Sequence, residues 1–260
     1  VGEFLRDKPR SELVVSTKVG RVLVPARDPN VLDEQYYVSP LPFSIQFDYS
    51  YDGIMRSYED SLQRLGLSYV DLLFIHDLDL WFHQTEARLQ AQLSELATSG
   101  WRALDELRSS GQVKGIGAGI NALGLIPRFL DLVDLDLFLV AQDYNLLDHD
   151  MLESEFPSCA EQDVAIIVGA LFASGILATA GAEGSTYRYA PPTPEILQRV
   201  RLMAEVCQQY AVDLATAAVQ FPLANPLVAA AVPGAARGEY ARNNVERLSC
   251  EVPYQLWQDL

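Results

Sequence analysis

Residues 70–79 read V-D-L-L-F-I-H-D-L-D, an apolar run that ends abruptly in polar residues. A short run without polar alternation is typical of a strand that is buried on both faces of a parallel sheet. The polar end leaves three interpretations of His76. It could satisfy the loop backbone, bind a metal together with Asp77 and Asp79, or act as a catalytic group at the carboxyl end of a strand.

Similar apolar runs recur along the chain and alternate with segments of helical periodicity, which predicts an α/β fold with a parallel sheet. The predicted strands cover residues 13–17, 69–75, 113–117, 136–141, 164–169 and 228–232. Residues 21–51 contain four prolines and little periodicity, so we predict a long loop there. No Gly/Ser-rich linker divides the chain, which favours a single domain over residues 1–260. A (β/α)8 barrel would need two further strands.

Composition excludes several classes of function. A formal net charge of −16 and a pI near 4.5 would repel a phosphate backbone, so we expect no nucleic-acid partner. No apolar run approaches the roughly 20 residues of a membrane span. Cys159, Cys207 and Cys250 are odd in number and far apart, which indicates reduced thiols and a cytoplasmic protein. The oligomeric state is left open between a monomer and a small homo-oligomer.

Polar residues follow most of the predicted strands, where the active site of a parallel barrel forms. They include Lys18, His76, Asn121, the segment 142–145 and the glycine-rich segment 169–175. A lone Lys or His in such a place is usually structural, but these residues would converge in a barrel. Because neighbours on an extended chain point to opposite sides, we expect Asp77 to face away from His76. We therefore predict no metal site.

Five stretches, in this order, resemble the aldo-keto reductase family. They resemble its sugar and pyridoxal dehydrogenase branch in particular, which includes D-threo-aldose, L-fucose and L-galactose dehydrogenases. The stretches are S-T-K-V-G-R (16–21), Y-D-G-I-M-R-S-Y-E-D-S-L-Q-R-L-G-L-S-Y-V-D-L-L-F-I-H-D (51–77), G-Q-V-K-G-I-G-A-G-I-N (111–121), S-G-I-L-A (174–178) and V-P-G-A-A-R-G-E-Y-A-R-N-N-V (232–245).

The resemblance implies an α/β fold of the (β/α)8 TIM barrel type, with the first two strands absent from the sequence. It also implies an enzyme that transfers a hydride between NAD or NADP and an aldose hemiacetal or an aldehyde. Catalysis in the family uses Asp, Tyr, Lys and His; Lys18 and His76 match the last two. The Asp and Tyr normally lie upstream of the S-T-K motif, so we expect an N-terminally incomplete barrel domain. A non-catalytic nucleotide-binding or scaffold relative is the alternative.

The chemistry suits those roles. A tyrosine with an ordinary pKa near 10 is a poor base at neutral pH, and a neighbouring ammonium such as that of Lys18 favours its phenolate. A neutral imidazole at His76 would orient the substrate oxygen. The resemblance further implies contacts with the substrate from Trp81 and Tyr144, among aromatic residues that also include Tyr36, Tyr37, Phe43 and Phe47.

Cofactor contacts carried over from the family fall on several loops. Asn121 and Gln142 match residues that bind the nicotinamide carboxamide, and Arg237 stands one place after the arginine that commonly binds a 2′-phosphate. That offset leaves NAD and NADP both open. The complete set of predicted cofactor-binding residues is Asn121, Gln142, Leu171, Phe172, Ser174, Gly175, Gly234, Arg237 and Asn244.

Overall fold

The structure is a computed structural model that describes residues 1–28 and 40–260. The described chain forms two compact units. Unit 1 comprises Val1–Gly119 and Phe129–Asp136, and unit 2 comprises Ile120–Arg128 and Leu137–Leu260. Tyr36 and Tyr37, expected near the substrate, lie outside the described residues.

Unit 1 contains a parallel sheet and a separate antiparallel pair. Its strands are β1 (Ser16–Val19), β2 (Arg21–Pro25), β3 (Phe43–Phe47), β4 (Leu72–Ile75) and β5 (Gly115–Ile120), the last residue of which belongs to unit 2. β4 pairs in parallel with β1 on one side and β5 on the other, with Lys18 opposite Phe74. The predicted strands at these places are therefore confirmed, with bounds that differ by up to three residues.

The prediction of a long loop over residues 21–51 is wrong in part, because β2 and β3 pair as an antiparallel two-stranded sheet. Pro25 occupies the last position of β2, and strand ends tolerate a residue without an N–H donor. Proline content therefore hid two short strands. Arg21 lies opposite Phe47 in this pair, next to the end of β1.

Unit 1 contains five α-helices within the residues that the structure describes. They are α1 (Gly2–Leu5), α2 (Tyr51–Leu65), α3 (Leu80–His83), α4 (Glu86–Glu95) and α5 (Trp101–Ser109). Ser50 caps α2 by accepting the Gly53 N–H, and Gly66 ends it with a left-handed φ of 62°. A single turn of π-helix, Leu96–Gly100, joins α4 to α5.

A buried ion cluster lies at the amino end of β4. The carboxylate of Asp71 accepts the Val15 N–H at 2.8 Å and contacts Arg10 at 2.6 Å and Lys114 at 3.0 Å. Asp71 is 1% exposed, so these partners replace its water. The cluster therefore ties residues on three segments to the amino end of the strand that carries His76.

Unit 2 contains three parallel strands, β6 (Leu137–Val140), β7 (Ala165–Val168) and β8 (Val228–Ala231). Its helices are α6 (Ile126–Leu132, divided between the units), α7 (Met151–Ser154), α8 (Phe156–Glu161), α9 (Pro194–Gln209), α10 (Leu214–Gln220), α11 (Gly238–Leu248) and α12 (Tyr254–Asp259). Leu177, Val200, Ala217 and Leu256 belong to its core. Within the described residues no helix is both long and apolar enough to cross a membrane.

Candidate active site and nucleotide pocket

His76 lies directly after β4, at the carboxyl end of the parallel strands of unit 1. Its backbone N–H donates to the carbonyl of Val19 at 3.0 Å, which fixes it beside the end of β1. Lys18 precedes Val19 on β1 and faces the end of β4 in register. The two residues predicted to be catalytic are therefore brought to the same edge of the sheet.

Asp77 does not face away from His76, and the prediction that it does is wrong. Its φ of 53° is left-handed, so the chain is no longer extended at this residue and the alternation of side chains breaks down. The Asp77 carboxylate turns back to lie 3.1 Å from Nε2 of His76, and it also contacts the guanidinium of Arg21. Asp77 is 6% exposed, so this contact is largely shielded from water.

The surroundings of His76 keep its imidazole neutral. Burial is the largest cause that lowers its pKa, followed by the positive charges of Arg21 and Lys18, and the result is a pKa of about 3. The contact with Asp77 is therefore one between a neutral ring and a carboxylate oxygen 3.1 Å away. Burial also lowers the pKa of the Lys18 ammonium, against the attraction of Asp77, although water reaches the exposed side chain and moderates this.

Arg21 and Tyr49 support this site, and the prediction of site residues missed both. The Arg21 guanidinium lies 4.6 Å from the ring centre of Phe82 and 5.3 Å from that of Phe47. Tyr49 is fully buried, and its hydroxyl donates to the carbonyl of His76 at 2.7 Å. Burial raises the pKa of that phenol far above its ordinary value, so Tyr49 is a structural donor and a poor proton-transfer group.

His83 is a buried residue of unit 1. It is 7% exposed, its ring centre lies 4.8 Å from that of Phe47, and its Nε2 lies 3.3 Å from the Tyr49 oxygen. Trp81, predicted to contact substrate, is 48% exposed and stacks on Phe82 with ring centres 5.9 Å apart. Trp81 is thus accessible, whereas His83 belongs to the aromatic packing beneath it.

Tyr144 lies in the core of unit 2, which corrects its prediction as a substrate contact. It is 3% exposed, and its ring packs 4.6 Å from Phe156 and 5.7 Å from Phe221. Burial raises the pKa of its phenol against a hydrogen bond from Asn225. A ring enclosed in this way has no face left for a substrate or for nicotinamide.

A cavity of about 750 Å³ opens in unit 2 between the segment after β7, the segment after β8 and α11. Six of the predicted cofactor residues line it, namely Leu171, Phe172, Ser174, Gly175, Gly234 and Asn244. Tyr189, Tyr240 and Arg247 also line it and were missed by sequence reasoning. Their place on an irregular loop and on α11 gives no periodic signal that separates them from ordinary surface residues.

Backbone geometry shapes the wall after β7. Ala173, Ser174 and Gly175 have consecutive left-handed φ values of 45°, 61° and 104°, which turn the chain tightly. The Ser174 hydroxyl accepts a hydrogen bond from the Tyr189 N–H at 3.2 Å, and the Ser174 backbone carbonyl accepts one from the Thr186 hydroxyl at 2.7 Å. Within the turn the Ala173 N–H donates to the Ala170 carbonyl and the Gly175 N–H donates to the Phe172 carbonyl, both at 2.8 Å.

Three predicted cofactor residues do not line this cavity. Gln142 is 4% exposed, and its carbonyl accepts the side-chain amide of Asn145 at 2.8 Å. Asn121 is half-buried after β5. Arg237 caps α11 at its N-terminus and lies 5.9 Å over the ring of Tyr240. These three residues of unit 2 therefore lie apart from the six predicted cofactor residues that line the cavity.

The loop that carries Tyr189 is anchored by charge. Arg188 pairs with the carboxylate of Asp143, and the Tyr187 hydroxyl donates to the Asp148 carboxylate at 2.9 Å. Asp143 is 6% exposed, and its burial raises the pKa of its carboxyl against the opposing effect of Arg188. These contacts hold the loop beside the tight turn at Ser174.

Parallel strands with polar residues at their carboxyl ends are typical of α/β enzymes, and a cavity walled by tight turns is typical of a ligand-binding site. The chain matches the Aldo/keto reductase family over residues 1–259 and belongs to that family. The predicted aldo-keto reductase fold and the prediction of an oxidoreductase are thereby confirmed.

Named relatives agree with the family assignment. Pyridoxal 4-dehydrogenase of Microbacterium luteolum is 38% identical, with 100% of this chain matched to 78% of the relative. D-threo-aldose 1-dehydrogenase of Pseudomonas sp is 35% identical, with 100% of this chain matched to 77% of the relative. Aldo-keto reductase AKR11C1 from Bacillus halodurans, holo form, superposes with a TM-score of 0.71 at 21% identity, covering 100% of this chain and 75% of the other.

Proposed function

We propose that this protein transfers a hydride between NAD or NADP and an aldose hemiacetal or an aldehyde. The observation that carries the proposal is the cavity of about 750 Å³ in unit 2, with two glycine-containing walls and a third wall formed by α11. Aldo-keto reductases generally use a nicotinamide nucleotide. The matched relatives named for pyridoxal and for D-threo-aldose support an aldehyde or a sugar as the substrate.

The residues of the cavity fit a nucleotide. The turn at Ser174 and Gly175 would let a diphosphate approach the backbone closely, because a Cβ at Gly175 would meet nothing within 4 Å. Gly234 has open space where a Cβ would stand, so a ligand can approach its backbone. Asn244 donates to the Gly234 carbonyl at 3.5 Å and braces this wall against α11. When bound, the nicotinamide supplies or accepts the hydride.

Unit 1 would supply the groups that act on the substrate oxygen. Its neutral His76 can exchange a hydrogen bond with a carbonyl or hydroxyl without the cost of charging the ring. Lys18 places an ammonium at the same edge, where it favours negative charge on an oxygen. Trp81 offers an exposed aromatic face, which suits a sugar or pyridine ring.

Nucleotide binding tests the proposal directly, by titration of NADH and NADPH against protein fluorescence. Gly234→Val adds side-chain atoms to the cavity wall at a position where the fold has room, so we expect at least about tenfold weaker binding, or about 1.4 kcal/mol. Ala229→Val, on exposed β8 and outside the cavity lining, is the matched control and should bind like the parent. The two titrations also decide between NAD and NADP.

Turnover is then followed at 340 nm with NAD and NADP on a panel of aldoses, pyridoxal and simple aldehydes. Failure of the parent protein to bind either nucleotide would refute the proposal. Binding that Gly234→Val and Ala229→Val weaken equally would show that the nucleotide lies outside this cavity.

A further inference from the structure

Arg247 is the charged residue in the wall of the unit 2 cavity, among the residues that the structure describes. It lies on α11 at helical spacing from Tyr240, Asn243 and Asn244, which line the same cavity. Its Nε makes no hydrogen bond within the described chain but lies 3.6 Å from Oδ2 of Asp213, as an ion pair. We propose that Asp213 sets the nucleotide selectivity of this cavity, because its carboxylate offsets the Arg247 charge and so favours NAD over NADP.

The inference rests on the proposed function and concerns the one group that distinguishes its two nucleotides. NADP carries a phosphate on the 2′-oxygen of its adenosine ribose, where NAD carries a hydroxyl. A phosphate monoester adds a charge of about −1.5 to −2 at pH 7, whereas the diphosphate is common to both nucleotides. Because the protein has a net charge of −16, the 2′-phosphate needs a nearby cation to bind well.

The cavity offers such a phosphate little positive charge. Apart from Arg247, the described residues that line it are uncharged. Arg237 and Arg242 belong to the same segment of the chain but are not among the lining residues. The Arg237 guanidinium lies 5.9 Å over the ring of Tyr240. A 2′-phosphate bound in this cavity would therefore depend on Arg247.

Neighbouring groups hold both members of the ion pair in place. The Arg247 side chain is 24% exposed, its Nη1 donates to Oδ1 of Asn244 at 3.4 Å, and its carbonyl accepts the side-chain amide of Gln220 at 2.7 Å. Asp213 caps α10, because its Oδ1 accepts the Thr216 N–H, and this orients its carboxylate. The Asp213 side chain is 60% exposed, so water screens the pair and Asp213 offsets the Arg247 charge only in part.

Titration of NADH and NADPH against protein fluorescence tests the inference. The parent should bind NADH at least about tenfold more tightly than NADPH. Asp213→Asn removes the charge but keeps a side-chain oxygen that can cap α10. In this variant NADPH should bind about two- to fivefold more tightly, as expected for an exposed ion pair, and NADH should change less. Glu205→Gln, at an exposed carboxylate on α9 outside the cavity lining, is the matched control and should leave the ratio of the two dissociation constants unchanged.

The gain in NADPH affinity should depend on Arg247. When Asp213→Asn is combined with Arg247→Gln, NADPH should bind no more tightly than it does to Arg247→Gln alone. If Asp213→Asn does not fold, Asp213→Ser provides the same cap and the same loss of charge.

Three results would overturn the inference. They are a parent that binds NADPH as tightly as NADH or more tightly, an equal change of the ratio in Asp213→Asn and Glu205→Gln, and a gain that persists without Arg247. Each of these leaves the proposed function standing, because a nucleotide still binds. A parent that binds neither nucleotide refutes the proposed function, and this inference with it.

Discussion

Tyr49→Phe removes one hydroxyl from the support of His76. The phenol is fully buried, donates to the His76 carbonyl at 2.7 Å and lies 3.3 Å from Nε2 of His83. Phenylalanine keeps the ring and its packing against Phe47, so the substitution isolates the hydroxyl. It also tests whether Tyr49 serves structure rather than proton transfer.

The expected magnitude follows from the loss of a buried donor. A typical hydrogen bond contributes about 1 kcal/mol net, but leaving a buried carbonyl without its partner costs about 1–3 kcal/mol. We therefore expect Tyr49→Phe to lower the free energy of unfolding by about 1–3 kcal/mol at pH 7. For a chain of this size that corresponds to a Tm lower by roughly 2–12 °C.

Urea unfolding followed by circular dichroism measures this difference. Tyr254→Phe, at a tyrosine that is 75% exposed, is the matched control and should stay within about 0.5 kcal/mol of the parent. Because the folded pKa of Tyr49 is raised, its contribution is fully present below the ordinary pKa of 10.0 and is lost as pH rises above that value. Equal stability of Tyr49→Phe and Tyr254→Phe at pH 7 would refute the reasoning.

Three further substitutions test the scaffold by urea unfolding. Gly20→Ala should cost at least about 1–3 kcal/mol, because Gly20 has a φ of 95° and an added Cβ would stand 2.4 Å from the Tyr49 ring; a parent-like midpoint would contradict this. Asp71→Asn should cost about 1–3 kcal/mol at pH 7. Burial raises the Asp71 pKa, but its hydrogen bonds and cations outweigh this and lower it, so the difference should shrink as pH falls below 3.8; a constant difference would argue against it. Arg188→Gln should cost about 1 kcal/mol or less at pH 7 and nothing near pH 4. Without Arg188 the raised pKa of Asp143 rises further, so the variant loses free energy of unfolding as pH increases through that pKa. A difference from the parent that persists at pH 4 would contradict this.

Strands β4 and β6 were predictable because burial on both faces leaves a local signature, an unbroken apolar run. The end of α2 at Gly66 was also predictable from a local signal, because a left-handed C-cap selects glycine. Strands β2 and β3 were not predictable, because the pairing of each depends on a partner some 20 positions away along the chain. Proline near their ends removed the remaining local signal.

The residues of the candidate site were likewise predictable only in part. Lys18 and His76 reach one edge because strand register is fixed by the apolar pattern. The orientation of Asp77 depends on one backbone angle, φ of 53°, that the letters H-D do not encode. Tyr144 shows a second limit, since an aromatic residue after a strand has the same sequence context whether it packs inward or outward. Arg247 reaches the cavity from α11, where it resembles any solvated helix residue.

Bulk charge and local charge lead to opposite expectations at His76, and the local charge prevails. A net charge of −16 would by itself favour a protonated histidine. Burial has the largest effect on the ring, and the cations Arg21 and Lys18 act in the same direction, so the ring is neutral although the Asp77 carboxylate lies 3.1 Å from Nε2. Coulomb energies fall with distance and are screened beyond about 8–10 Å, so distant carboxylates count for little. On the proposed function the same two cations would favour negative charge on a substrate oxygen, so an acidic net charge does not conflict with that proposal.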